Sequence, residues 1–475
     1  MNTNVEPPPV TVPLRTRIFW GFGGLADNFM FNTLVVLGMV IYVDYFELSP
    51  WLAGIALFVP RFVDAITDPW IGNLSDNAKT RWGRRRPFMF FGVIGSALLL
   101  PLLWTPPGLE TIGEVWHANI PFLYLAAMGS LLAVTYTFFV VPYTALGYEL
   151  TPHYDERTRV LAWRMYIGLI GSAAGGWLYR LANLDWFPNE AVGAFAVSAS
   201  LAVVVIAAGL MPVFGCRENV AVVKQAPIRL FAALRYTFTN RAFLILFFSY
   251  TIVILALFSA NGILPFLLIY HVFDGDRVAF GNFQGLWTTL GVTVSYLSIF
   301  LIAWISRRTS KRRAMMIGLG LAMGGAIFNW FAIDPRWPWM MFAAAIVSFL
   351  GFQGCWLMVD SMVADVCDDD DLRSGRRREG MFSAVKGFAL KLAQALTAII
   401  GGGLLTLSGF DAATARADGL TMEVAMTMKN LMIGVQVVGL AGAIALMGWY
   451  PISRERAEET RRELEKRGPI EATEQ

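Results

Sequence analysis

Two carboxylates, Asp64 and Asp68, stand four residues apart in RFVDAITDPWIGNLSDNAKTRWGRRRP, the stretch from Arg61 to Pro87. On a helix the i, i+4 spacing puts both acids on one face, and Arg61, three residues before Asp64, shares it. Two carboxylates one turn apart offer several oxygens to a hard cation such as Na⁺, or let one of them hold a proton whose affinity its neighbours raise. The bland alternative is an Arg61–Asp64 ion pair that ties helices together. The surrounding residues are apolar. A charge near the centre of a bilayer costs at least about 2.5–3.5 kcal/mol, so a cation, a partner or water has to meet it.

The elements that position these acids follow from composition. Of 475 residues, 56% are hydrophobic and only 15% are charged, outside the usual balance of a soluble globular protein. Runs of roughly 20 apolar residues recur along the whole chain, each long enough to span a bilayer as a helix. The alternating segments of about ten residues that make a transmembrane barrel are absent. The pattern predicts an all-α membrane protein with twelve spans, at 18–43, 51–74, 87–105, 119–148, 160–182, 191–213, 242–270, 283–305, 314–332, 338–364, 380–408 and 425–449. A rise of ~1.5 Å per residue from Trp51 puts Asp64 about 20 Å into the second span, near or somewhat past the middle.

The loops that follow even-numbered spans carry most of the Lys and Arg, including Lys79, Arg84 to Arg86, Arg157, Arg307, Lys311 and Arg376 to Arg378. By the positive-inside rule both termini are cytoplasmic. The expected organisation is a disordered tail over 1–17, a six-helix bundle over 18–215, a central cytoplasmic loop over 216–241, a second six-helix bundle over 242–449 and a cytoplasmic tail over 450–475. Two echoes relate the halves. RWGRRRP after the second span answers SRRTSKRR after the eighth, and YELTPHYDERTR after the fourth answers VADVCDDDDLRSGRRR after the tenth. Such duplication is expected of a transporter whose site lies at mid-membrane between its repeats. The odd cysteine count (Cys216, Cys355, Cys367) lacks metal or disulfide spacing. The histidines, His117, His153 and His271, form no paired catalytic motif, which argues against an intramembrane enzyme. The polar, Pro-rich start, MNTNVEPPPVTVPLRTR, does not read as a cleavable signal peptide.

Four stretches carry a family resemblance: VDAITDPWIGNLSDNAKTRWGRRRPF, VPYTALGYELTPHYDERTRVLAWR, TNRAFLIL and MVADVCDDDDLRSGRRREGMFSAVKGFALKL. Together they resemble the glycoside-pentoside-hexuronide:cation symporters, the melibiose-permease-like branch of the major facilitator superfamily, over nearly the whole chain and in order. The resemblance implies two pseudo-symmetric six-helix bundles. It implies that Asp64 and Asp68 are the cation-site aspartates, with Thr137 a fourth-helix hydroxyl ligand. It implies that Asp27 binds substrate hydroxyls and that Arg164, Trp356 and Lys391 line the substrate site. Gly72, Asp76, Gly83 and Arg84, Arg85 and Arg86 resemble the superfamily's cytoplasmic loop motif, a charge latch in which Arg377 and Glu379 would also take part. Two positions depart from the pattern. Val140 stands where melibiose-type members carry Asp, and Thr144 where they carry Trp, which argues against galactoside specificity.

Read from the residues alone, Asp27 and Lys391 fall about ten and eleven positions into their spans, near the bilayer middle. Carboxylates, Arg and Lys pair with hydroxyls, and an indole such as Trp356 offers a flat face to a sugar ring or a lipid chain, or simply packs. Asp360, one turn after Trp356, either replaces the acid lost at Val140 or pairs with Lys386 or Lys391. The expected activity is import of a small polyhydroxylated solute, a glycoside above all, coupled to Na⁺ or H⁺, with a lysolipid as the runner-up substrate. No cofactor beyond the coupling ion and no nucleic-acid partner is expected. A monomer in the plasma (inner) membrane is the expected working form.

Overall fold

The computed structural model describes residues 12–106, 119–151, 154–218, 237–374 and 379–467, and the regular elements among them are helical. Twelve long helices follow one another: α1 Leu14–Val40, α2 Pro50–Asn77, α3 Arg86–Leu102, α4 Asn119–Glu149, α5 Tyr154–Gly175, α6 Glu190–Gly215, α7 Arg241–Phe258, α8 Arg277–Arg308, α9 Lys311–Ala332, α10 Met340–Ser374, α11 Glu379–Leu407 and α12 Met422–Gly448. A charged helix, α13 Arg454–Arg467, ends the described chain. Ten of the twelve are long and apolar enough to cross a membrane by themselves; the exceptions are α3, which is apolar but has 17 residues, and α5. The low hydropathy of α5 has a simple source, because Asp155, Glu156, Arg157, Arg159 and Arg164 lie along it.

Side chains at the helix starts set several boundaries. Asn189, Asn240, Ser310 and Thr421 each accept a hydrogen bond from the main-chain N–H three residues on, and Ser49 does the same just before Pro50 opens α2. Three spans differ from expectation. The fifth stops at Gly175 and a separate short helix, Leu178–Ala182, follows. The seventh, expected as one helix over 242–270, ends its regular helix at Phe258 and continues through a 3-10 turn Ser259–Gly262, a short helix Leu264–Leu267 and the π-helical turn Leu268–Val272. The tenth runs on to Ser374, well beyond 364, because its extra turns find cations: Asp365 meets Lys311 at 2.6 Å, and Asp369 meets Arg373 at 2.8 Å.

The duplication is visible in how the helices pack. In the first half α1 packs on α5 and α6, and α3 on α4 and α6; in the second half α7 packs on α11 and α12, and α9 on α10 and α12. Adding six to each number converts one set into the other. The first helix of each half also ends alike. A π-helical turn (Ile41–Tyr45, Leu268–Val272) is followed two residues later by an acid with positive φ, Glu47 at 55° and Asp274 at 49°.

The chain divides into two compact units, Met1–Ala226 with Asp276–Thr289, and Pro227–Gly275 with Leu290–Gln475. The first turns of α8 thus belong to the first unit. There Arg277 pairs with Asp44 and with Glu190, each at 2.6 Å, and Asp44 is fully buried.

Candidate functional site

Close approach of α2 and α4 builds the first part of the site. Gly129 makes it possible, since a Cβ there would lie 2.6 Å from Pro60 Cγ. One turn beyond Pro60, the Asp64 carboxylate accepts a hydrogen bond from Thr137 Oγ1 at 2.8 Å and is only 4% exposed. Thr67 Oγ1 lies 3.4 Å from Thr137 Oγ1. Asp68, one turn further, is partly buried with one carboxylate oxygen enclosed. A cavity of about 30 Å³, room for about one water, is lined by Arg61, Asp64, Ala133 and Tyr136 with Met30 and Phe31 of α1. The Arg61 guanidinium sits 3.9 Å above the Phe31 ring. Asp64 and Tyr136 bring side-chain oxygens to this space, which is otherwise apolar apart from the Arg61 guanidinium; Asp68 and Thr137 do not line it.

Close approach of α1 and α5 builds the second part. A Cβ at Gly24 would lie 2.8 Å from Arg164 Cγ, so the missing side chain lets Arg164 reach across to Asp27. Arg164 Nη2 donates to one Asp27 oxygen at 2.9 Å, and Tyr136 Oη donates to the other at 2.8 Å. The guanidinium also lies 5.2 Å from the Tyr143 ring centre, and Tyr143 is held by its hydroxyl on the Trp20 carbonyl at 2.9 Å. Both Asp27 and Arg164 keep partial exposure, 15% and 27% for the side chains. A charged, partly open pair of this kind can exchange its mutual contacts for solute hydroxyls.

Tyr136 and Thr137 are neighbours on α4 and point about 100° apart, as the helical repeat requires. One reaches Asp27 on α1; the other reaches Asp64 on α2. The two acidic centres are therefore joined through two consecutive residues of one helix.

Trp356, Asp360 and Lys391 belong to the other unit. Trp356 packs edge-on against Tyr250 and Phe352, with ring centres 5.3 Å and 5.9 Å away. Asp360 is exposed and forms an ion pair with Lys386. Lys391 is partly buried on α11.

The loop between α2 and α3 is a charge cluster. Arg85 pairs with Asp76 at 2.6 Å and with Glu149 at 3.0 Å, and Arg84 also pairs with Glu149. Gly83 adopts φ +104°, a backbone region that disfavours a side chain. A Cβ at Gly72 would lie 3.5 Å from Val141 Cγ1, an ordinary contact, so packing alone does not demand glycine there. Glu218, just past α6, accepts from the main-chain N–H groups of Arg84 and Arg85 at 2.9 Å and of Arg86 at 3.2 Å. Arg86 donates to the Cys216 carbonyl. Arg377 lies outside the described residues, as does the side chain of Glu379.

Sequence reasoning passed over Tyr136, Glu149, Glu218 and the Asp44–Arg277–Glu190 cluster. Tyr136 stands beside Thr137 in TYTFFVVP and Glu149 lies in YELTP, so both were within reach of the motifs. Nothing local marks Glu218 or Asp44, whose partners lie more than 130 residues away.

The chain matches the family model described as MFS/sugar transport protein over residues 19–454. It is 25% identical to the isoprimeverose transporter of Lactiplantibacillus pentosus, with 93% of this chain and 90% of the relative covered. It is 24% identical to the sodium-dependent lysophosphatidylcholine symporter 1 of Gallus gallus, with 90% and 84% covered. Among solved structures, an inward-facing bacterial homologue of the human lysosomal transporter Spinster superposes with a TM-score of 0.67 at 14% identity, covering 96% of this chain and 98% of that one. That likeness establishes the fold. Helix order, repeat packing and near-complete coverage agree, and the chain is a membrane transporter of the glycoside-pentoside-hexuronide symporter family within the major facilitator superfamily.

Proposed function

We propose that the protein imports a small polyhydroxylated solute, a glycoside, together with Na⁺ or H⁺ held at Asp64, Asp68 and Thr137. The observation that carries this reading is the α4 junction: Tyr136 on Asp27 and Thr137 on Asp64 give solute site and cation site a shared element. A cation at Asp64 and Asp68 compensates charge that the apolar surroundings otherwise penalise. It also fixes Thr137, and through the helix it fixes the neighbouring Tyr136 that orients Asp27. Solute hydroxyls then meet a preorganised Asp27–Arg164 pair, so the cation promotes solute binding and, by linkage, the solute promotes cation binding. Alternating access would expose the loaded site to one side of the membrane and then the other. The proposed setting is the inner membrane, and the distribution of basic loops supports an orientation with both termini cytoplasmic. The Asp76–Arg85–Glu149 cluster is proposed as the latch on that side.

A second reading has one specific support, the similarity to a sodium-dependent lysophosphatidylcholine symporter. Under it Val140, which cannot hydrogen-bond a hydroxyl, is part of an acyl-chain wall. The ion pair of Asp360 with Lys386 supports a structural role for that acid over replacement of the acid missing at Val140. Uptake of radiolabelled sugars, glycosides and lysolipids into proteoliposomes, with and without Na⁺ and H⁺ gradients, separates the readings. Gradient-driven glycoside accumulation is expected. Lysolipid transport with no sugar transported would install the second reading in its place.

A further inference from the structure

At one end of the second unit a cavity of about 380 Å³ opens where the turn between α8 and α9, the chain after α12, and α13 come together. Five cationic side chains line it: Arg307, Lys311, Arg312, Arg454 and Arg461. Two carboxylates also line it, and both are engaged. Asp365 accepts from Lys311 Nζ at 2.6 Å and 2.7 Å, and Glu458 accepts from Arg454 at 2.9 Å. Arg312 donates to the carbonyls of Gly448 and Tyr450. Among the described residues Arg307, Arg312 and Arg461 have no carboxylate partner. Basic residues at this end serve topology. Topology alone does not require three uncompensated guanidinium groups to converge on one cavity.

The internal repeat indicates what belongs there. In the first unit Arg86, near the start of α3, caps the chain after α6 through the Cys216 carbonyl, as Arg312, near the start of α9, caps the chain after α12. There a carboxylate from that same chain, Glu218, fills the space and accepts three main-chain N–H groups. In the second unit the corresponding stretch is Tyr450-Pro451-Ile452-Ser453, which holds no acid. The first unit supplies its own anion; the second leaves the position open.

We propose that this cavity binds a phosphate group, through the guanidinium groups of Arg307, Arg312 and Arg461. A planar guanidinium matches phosphate oxygens bidentately, and a phosphate dianion offsets three of them more fully than a single carboxylate would. The N-termini of α9 and α13, capped by Ser310 and Ser453, flank the same cavity and favour negative charge. The phosphate comes either from a soluble phosphate compound or from a lipid headgroup at the membrane surface, where basic pockets between helices select anionic lipids.

The test is the melting temperature of the full-length protein in uncharged detergent, titrated with inorganic phosphate against chloride at equal ionic strength. A parallel arm compares phosphatidylcholine nanodiscs with and without phosphatidic acid. Stabilisation by phosphate assigns a soluble source, and stabilisation by phosphatidic acid alone assigns the headgroup. Arg461→Gln should raise the half-saturating concentration by about ten-fold, the usual effect of losing one hydrogen bond to a charged group. Ser453→Asp keeps the helix-capping oxygen but supplies a built-in anion, and it should abolish the response while melting cooperatively in chloride. Absence of an anion-specific shift in both arms, or an unchanged response in Arg461→Gln, would overturn the proposal.

Discussion

Asp64 and Thr137 meet where α2 crosses α4, whereas the corresponding contact of the second repeat, α8 on α10, is made by Ser298, which donates to the Leu350 carbonyl at 2.6 Å and accepts from the Gly354 N–H at 2.8 Å. Both crossings depend on a missing side chain, Gly129 against Pro60 in one and Gly354 against Ile302 in the other. The packing problem is therefore solved in the second repeat with neutral groups alone. A buried carboxylate is not needed to hold these helices together, and in apolar surroundings it is a cost. On the proposed reading, a bound cation explains its presence in the first repeat. The same contrast holds at the helix ends, where the first unit matches its arginines with Asp76, Glu149 and Glu218 and the second leaves three unmatched.

The comparison can be broken or sharpened experimentally. Asp27→Ala removes the carboxylate shared by Arg164 and Tyr136 and should weaken solute binding by about ten- to a hundred-fold, since each lost bond is charge-assisted. Binding of the coupling cation, measured by calorimetry, should survive because its ligands lie on α2 and α4; equal loss of both would place Asp27 in the cation site. Glu149→Gln removes the carboxylate partner of Arg84 and leaves Arg85 with Asp76, and should cost about 3 kcal/mol of stability. In the second unit Glu458→Gln touches an exposed pair and should cost no more than about 0.5 kcal/mol. Equal melting temperatures for these two variants would erase the distinction drawn between the units. Tyr136→Phe deletes one hydrogen bond to Asp27 and should lower solute affinity about ten-fold. If Tyr136 links the two centres, the enhancement of solute binding by the cation should shrink as well; a variant with unchanged enhancement would remove that role. The smallest effect concerns Cys216. Burial pushes its thiol up to about 12, which leaves almost no thiolate at neutral pH, so a maleimide should leave it unmodified until the protein unfolds.

What could be read from the sequence depended on whether a residue's signal was local. Asp64 and Asp68 stand out because helical spacing and an apolar setting are both visible within one turn. The resemblance supplied Thr137, Asp27 and Arg164, and these three do meet Asp64 or one another. Glu218 looks like any loop acid until α3 and α6 are brought side by side. The full length of α10 is hidden in the sequence for a related reason. The acids after 364 read as a hydrophilic loop, but Lys311 and Arg456 arrive from elsewhere to pair with Asp365 and Asp369, at 2.6 Å and 3.6 Å. The stop at Gly175 was likewise hidden, because the apolar run continues through Trp177 and Leu178.

The most direct test of the account is solute flux in proteoliposomes carrying Asp64→Asn beside the parent and beside Ser298→Ala, the neutral change at the matching crossing of the second repeat. The parent and Ser298→Ala should accumulate solute above its external concentration when a Na⁺ or H⁺ gradient is imposed. Asp64→Asn should still exchange solute across the membrane but never exceed equilibrium. Uphill accumulation by Asp64→Asn at the parent's level would contradict the assignment of the coupling site to α2 and α4.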